Sequence, residues 1–79
     1  MFVKYKNNIY NIGNYQSIVK VGEKEILLMS DHSASLLFDD MISRNWVISH
    51  FWMQLINGEN FLDLDADLEI FNTAEKFKI

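Results

Sequence analysis

Four acidic side chains recur at every second position within NFLDLDADLEIF, the segment that spans residues 60–71. They are Asp63, Asp65, Asp67 and Glu69. Carboxylates at this spacing could ligate calcium, but an EF-hand loop that begins at Asp63 requires glycine at its sixth position and glutamate at its twelfth. This chain has Leu68 and Ala74 there. We therefore expect no metal site in the segment.

The apolar residues between the acids indicate a β-strand. Leucine, alanine and isoleucine alternate with the carboxylates from Leu62 to Ile70. A period of two places each set of side chains on its own face of a strand, so we predict a half-buried strand despite the low strand propensity of aspartate. The alternative is an extended NFLDLD followed by a short helical turn in DADLEIF.

An acidic strand face has two structural explanations and one functional one. The charges could protect an edge strand from pairing with other chains, or they could pair with the lysines of the N-terminal hairpins. The functional interpretation is a docking surface for a basic partner. Because regular negative charge imitates a phosphate backbone, such a surface could compete with nucleic acid for a basic protein.

The elements that position these acids begin with a β-rich third. FVKYK, IYNI, SIVKV and EILLM are short, β-prone segments separated by Asn7-Asn8, by GNYQ and by a turn at Gly22. The range 35–56 then has helical apolar spacing and ends at Asn57-Gly58. Arg44 and Asn45 fall on its apolar side. They predict a kink or break there, with Asn45 capping a second helix.

These patterns predict a single α+β domain over residues 1–79, in which a small antiparallel sheet of four or five strands packs on one long or broken helix. The C-terminal strand would join that sheet as an edge. The residues that we expect in the core are Val3, Tyr5, Ile18, Ile26 and Leu28 from the sheet and Leu37, Met41, Ile48, Trp52 and Leu55 from the helix.

The polar side of the predicted helix carries an unexpected set of residues. Trp46, His50 and Met53 lie there together. Aromatic residues and methionine are enriched in protein interfaces, where tryptophan often contributes much of the binding energy. We expect these side chains either to be covered by the last strand or the C-terminal tail, Thr73–Ile79, or to contact another protein or a second copy.

Composition and motifs exclude several other functions. The net charge of −4 disfavours direct binding to nucleic acid or to anionic membranes. The chain has no cysteine, two histidines and three glycines, and it lacks a phosphate-binding loop. Ser30, Asp31 and His32 are neighbours in sequence, whereas a catalytic triad is recognised by convergence in space. We expect a cytoplasmic protein that is not an enzyme and has no cofactor.

The opening YKNNIYNIGNYQSIVKV and the later GENFLDLD resemble short uncharacterised bacterial and phage proteins, in which β-hairpins precede a helix. The resemblance covers about half of the chain and implies no activity or ligand. The sequence therefore predicts a small interaction module that binds a protein partner or assembles with itself as a homo-oligomer. The alternative is an acidic inhibitor that competes with nucleic acid for a basic protein.

Overall fold

The architecture is α+β. A computed structural model describes residues 1–76 of the chain, and within that range it contains six strands, two α-helices and one 3-10 turn. In chain order these are β1 (Phe2–Tyr5), β2 (Asn8–Asn11), the 3-10 turn (Ile12–Asn14), β3 (Ser17–Val21), β4 (Glu25–Met29), β5 (Ala34–Leu37), α1 (Met41–Ile56), β6 (Phe61–Asp63) and α2 (Leu64–Lys76).

The strands form two three-stranded sheets, so the prediction of one antiparallel sheet of four or five strands is wrong. The first sheet has the order β2-β1-β6, in which β1 and β6 are parallel, and the second is the antiparallel β3-β4-β5. The 3-10 turn separates them. Asn11 accepts a hydrogen bond from the Gly13 amide, and Ile12 is buried. The chain therefore leaves the first sheet after β2, and β6 occupies the other side of β1.

The hairpin between β1 and β2 turns one residue earlier than the sequence suggests. Lys6 and Asn7 have φ angles of 48° and 67°, and Tyr5 pairs with Asn8. Two successive residues with positive φ define the type I′ turn that suits a two-residue hairpin loop. Asn7 tolerates this conformation readily, whereas Lys6 adopts it at some cost.

The buried apolar residues form one cluster between the sheets and helices. It includes the predicted Val3, Tyr5, Ile26 and Leu28, while Ile18 packs partly buried against it. Tyr5 also links the two sheets, because its hydroxyl donates a 2.6 Å hydrogen bond to the carbonyl of Leu37. Burial raises the pKa of this hydroxyl.

Helix α1 is continuous, so the predicted break at Arg44 and Asn45 is wrong. Arg44 is buried on the apolar side because its guanidinium serves the β3–β4 turn. Its Nη1 donates to the carbonyls of Gly22 and Glu25 at 3.1 Å each and to that of Val21 at 3.4 Å. Its Nε donates to Oδ1 of Asn45 at 2.8 Å. A buried polar residue thus occurs within the helix without interrupting it.

The phase of the helix also differs from the prediction. Val47 and Phe51 are its buried apolar side chains, whereas Met41, Trp52 and Leu55 are exposed and Ile48 is half-buried. The predicted helical residue Leu37 lies in β5 and is exposed as well. Apolar residues occupy most of the helix circumference, so their spacing alone does not select the face that meets the core.

Helix α1 begins at Met41 because Asp40 caps it. The Asp40 carboxylate accepts a 2.7 Å hydrogen bond from the Ser43 amide, and this bond lowers the pKa of Asp40. Capping by the charged form stabilises the fold above the unfolded-state pKa, and the contribution is lost as the pH falls through the lower folded-state value.

We expect Asp40→Ala to reduce the free energy of unfolding by about 1 kcal/mol at pH 7, because the Ser43 amide loses its acceptor. Urea unfolding at pH 7 and near pH 2.5 measures this difference, which should shrink at the lower pH. Asp40→Asn is the matched control, since asparagine also caps but does not titrate. An undiminished difference at low pH would contradict the role of the carboxylate.

Candidate interaction surface

The acidic repeat lies mostly on a helix, so the prediction of a strand from residue 62 to 70 is wrong. Only Phe61–Asp63 is extended, and α2 begins at Leu64. Asp63 caps the helix by accepting from the Ala66 amide at 3.1 Å, and Asp65 and Asp67 lie in its first turn. Negative charge there interacts favourably with the helix dipole. The alternative of an extended segment followed by a helical turn has the right order but too short a helix.

Because the segment is helical, the four acidic side chains of the repeat point in different directions. The Lys4 ammonium lies 3.3 Å from Oδ2 of Asp65 and 3.9 Å from Oδ2 of Asp63. Asp65 also accepts from the Lys6 amide at 3.0 Å. Asp67 contacts α1, and Glu69 is exposed. The four carboxylates therefore do not share one face.

Helix α2 covers part of the predicted aromatic face of α1, which is the set Trp46, His50 and Met53. The Trp46 ring stacks between His50 and Phe71, with centroid distances of 4.5 Å and 4.7 Å. Nε2 of His50 lies 2.9 Å from Oδ2 of Asp67. The structure thus joins three predicted site residues, Trp46, His50 and Asp67, in one contact between the helices. The sequence did not single out Phe71, whose spacing from Asp67 by one helical turn was hidden by the strand prediction.

The pair of His50 and Asp67 does not by itself make a catalytic site. The imidazole and carboxylate resemble the histidine–aspartate pair of a catalytic triad. A triad also requires a nucleophile that is hydrogen-bonded to the other imidazole nitrogen. Over residues 1–76, the side-chain hydrogen bonds of His50 involve Asp67 alone. An open depression of about 320 Å³ lies at the pair and is also lined by Trp46, Ile70, Phe71 and Ala74. Packing of α2 on α1 is therefore the role that the contact performs.

The coupling between His50 and Asp67 can be measured. We expect a double-mutant cycle of His50→Ala and Asp67→Ala to give a coupling free energy of about 0.5–1 kcal/mol, because the pair is partly shielded from water. Chemical denaturation followed by tryptophan fluorescence provides the measurement. The same cycle with Glu69→Ala is the control and should show no coupling. Equal coupling in both cycles would contradict the specific contact.

A different surface of α1 is exposed and apolar. We define the outer face of α1 as the exposed large apolar side chains of the helix, which are Met41, Ile42, Trp52, Met53, Leu55 and Ile56. Met53 is thus the one member of the predicted aromatic face that stays largely exposed, at 55%. The outer face carries no charge, since Arg44 is buried and His50 faces α2. The sequence contained an indication of this surface, because Arg44 is the only formally charged residue among the sixteen of the helix.

The outer face borders an apolar groove. Ile18 of β3 lines one wall, and Ile48, Phe51, Trp52 and Leu55 of α1 line the other. The groove has a volume of about 250 Å³ and opens to solvent. It brings the edge of the second sheet next to the exposed part of α1, so the apolar surface extends beyond the helix.

Comparison of the chain with protein-family models, with curated proteins and with solved structures gives no match in any of the three. Among the residues that the structure describes, no three histidine, aspartate or glutamate side chains lie close enough to share a metal ion. Neither helix within residues 1–76 is long and apolar enough to cross a membrane. The surface itself is therefore the basis for inferring a function.

Proposed function

We propose that this protein is a small, non-enzymatic interaction module that binds another protein or itself through the outer face of α1. The observation that carries the proposal is the exposure of six large apolar side chains on a helical surface without charge. A helix on the surface of a monomer normally carries polar residues on the side away from the core. Four of these side chains, Trp52, Met53, Leu55 and Ile56, lie together in the last turns of α1, and exposed apolar patches of this kind are typical of protein contacts.

Trp52 and Met53 are the side chains that favour binding most. Trp52 is 65% exposed, although tryptophan is costly to leave in water and is enriched among residues that dominate binding energies. Methionine adapts its shape to different partners because it is flexible and polarizable. The predicted contact through Trp46 and His50 is less favoured, since α2 already stacks on Trp46 and contacts His50.

The acidic alternative receives less support. An inhibitor that imitates a phosphate backbone needs regular charge on one surface, whereas Asp63 and Asp65 contact Lys4 and Asp67 contacts His50. Glu69 is the member of the repeat that remains exposed without such a contact among the described residues. We therefore propose apolar docking as the principal mode and expect it to be insensitive to salt.

The test compares two tagged variants with the wild-type chain as baits in lysate of the encoding organism. Ile56→Lys places a charge on the outer face, and Ile9→Lys places one on β2, where isoleucine is equally exposed, at 66% against 63%. We expect a partner that wild type and Ile9→Lys retain at low and high salt and that Ile56→Lys loses. Retention by Ile56→Lys, or loss of the partner at high salt, would overturn docking through this face.

A further inference from the structure

Helix α1 lies between two neighbours, and only one of its flanks is closed. On one flank α2 contacts it through Trp46 and His50. On the opposite flank Arg44 reaches the carbonyls of Val21 and Gly22, at the end of β3. Over residues 1–76, β3 is the last strand of its sheet. No described element of the fold therefore covers the side of α1 beyond β3.

The outer edge of β3 offers unpaired backbone. Residues Ser17 to Val21 pair with β4 along one side only. The other side presents amide and carbonyl groups, which is how an edge strand recruits a further strand. Lys20 is the one charged side chain on this strand. Lys20 is therefore the one charge in β3 that opposes pairing with another strand. Apart from Lys20 and Ser17, the residues of the strand are apolar.

The apolar groove adjoins this edge. Ile18 belongs to β3 itself, and it faces Ile48, Trp52 and Leu55 across the groove. We define the β3 flank as the edge of Ser17–Val21 together with these three side chains of α1. It therefore combines free hydrogen-bonding groups in the sheet layer with exposed apolar surface in the helix layer directly beside it.

We propose that the β3 flank is the interface with a second copy of the chain, in which the two β3 strands pair antiparallel about a two-fold axis normal to the sheet. This inference rests on the proposed function and names its partner. The pairing joins two three-stranded sheets into one of six strands. Because rotation about that axis preserves the faces of a sheet, both α1 helices lie on the same side and turn their Trp52 surfaces toward each other.

A second copy fits because a single two-fold rotation both pairs the β3 edges and covers the apolar side chains of α1. An extended peptide would pair with the edge but would bring no apolar helix to cover Trp52. Copies of a chain with a net charge of −4 repel each other, but the β3 flank contains no acidic residue, and Lys20 is its one charged side chain. A pairing centred on Val19 sets Lys20 opposite Ile18 and not opposite another lysine.

The size of the flank is sufficient. A strand of five residues is about 17 Å long, and a helix of sixteen residues is about 24 Å long. With sheet and helix layers both included, each copy contributes on the order of 500 Å². Two copies would then bury about 1,000 Å², which is the lower limit expected of a specific interface.

The first test is sedimentation velocity of the full chain between about 1 and 500 μM. We expect a monomer–dimer equilibrium whose dissociation constant Trp52→Glu raises at least 100-fold, since a charge would enter the centre of an apolar contact. Ile9→Glu, on the exposed β2, is the matched control and should leave the constant unchanged. A wild-type chain that stays monomeric at the highest concentration would overturn the proposal.

The second test uses the absence of cysteine from the chain. Val19→Cys places one thiol beside the proposed axis, where directly opposed residues of antiparallel strands are close enough for a disulfide. We expect mild oxidation to give a covalent dimer at concentrations where Ile9→Cys gives none. Equal cross-linking of both variants, or dimerisation without cross-linking through Val19→Cys, would overturn this arrangement.

The experiments distinguish failure of the proposed function from failure of the proposed dimer. Ile56 lies on the outer face but outside the β3 flank, so loss of a foreign partner through Ile56→Lys supports the interaction module even if the chain is monomeric. Conversely, dimerisation that Trp52→Glu abolishes and Ile56→Lys preserves supports the β3 flank even if no foreign partner is retained. Dimerisation that Ile56→Lys abolishes and Trp52→Glu preserves would contradict the flank.

Discussion

Replacing Arg44 by alanine is expected to lower the free energy of unfolding by about 3–4 kcal/mol, because it removes strong hydrogen bonds from a charged donor and leaves a cavity where a long, buried side chain packed. Arg44 is 4% exposed. It donates to carbonyls on both sides of the β3–β4 turn, so a single side chain fixes that turn against α1. Stability margins of domains this small are about 3–5 kcal/mol, and most of the margin would be lost.

Urea denaturation followed by circular dichroism measures this loss. Lys24→Ala removes an exposed positive charge from the same turn, and we expect it to change the free energy of unfolding by no more than about 0.5 kcal/mol. Arg44→Lys keeps the charge but cannot reproduce the planar fork of donors, so it should be intermediate. An unfolding midpoint for Arg44→Ala equal to that of Lys24→Ala would show that the turn does not depend on the guanidinium.

Phe51 provides the second large effect. Truncation to alanine should cost about 3–5 kcal/mol, because it leaves a cavity in the core as well as losing buried apolar area. Phe51 is 2% exposed and belongs to the central cluster, whereas Phe2 is 50% exposed on β1. Phe2→Ala is therefore a matched control and should cost about 1 kcal/mol or less.

The neighbouring residue tests the orientation of the helix. Trp52→Ala, measured at concentrations where the chain is monomeric, should change the free energy of unfolding by about 0.5 kcal/mol, as is usual for exposed side chains. The sequence-based assignment of Trp52 to the core predicts the opposite order. If Trp52→Ala destabilises the protein more than Phe51→Ala does, the helix presents the other face to the sheet. Phe51→Leu is a milder second variant if Phe51→Ala does not fold.

Local patterns allowed part of the fold to be predicted. The β1–β2 and β3–β4 hairpins are contiguous in sequence, and their β-prone segments and turn residues indicate both of them, although the β1–β2 turn lies one residue earlier than expected. The α+β class and the end of α1 at Asn57-Gly58 follow from similar local signals. The partner of β1 could not be inferred, because β6 is three residues long and pairs across most of the chain. Contacts formed only in the folded chain define that pairing, among them the packing of Leu62 beside Val3 and the ion pair of Lys4 with Asp63.

The acidic segment shows why the rest could not be predicted. Leu62, Leu64 and Leu68 fit an alternating strand, but Leu64 and Leu68 are also separated by one helical turn. The helix prevails because Asp63 caps it and because Leu64 is fully buried in the helical arrangement. The same ambiguity affected the candidate site. Trp46, His50 and Asp67 were each singled out in the sequence, but on separate surfaces, and their contact could not be predicted because it depends on the course of α2.

The parallel pairing of β1 with β6 has a consequence for the order of folding events. Phe2 aligns with Phe61 and Lys4 with Asp63, so the first sheet must close a loop of nearly sixty residues. The β3-β4-β5 meander requires only local closure, which is faster. During synthesis on the ribosome, β1 would remain without its second neighbour until β6 emerges. The meander and α1 should therefore gain protection from hydrogen exchange before β1 does.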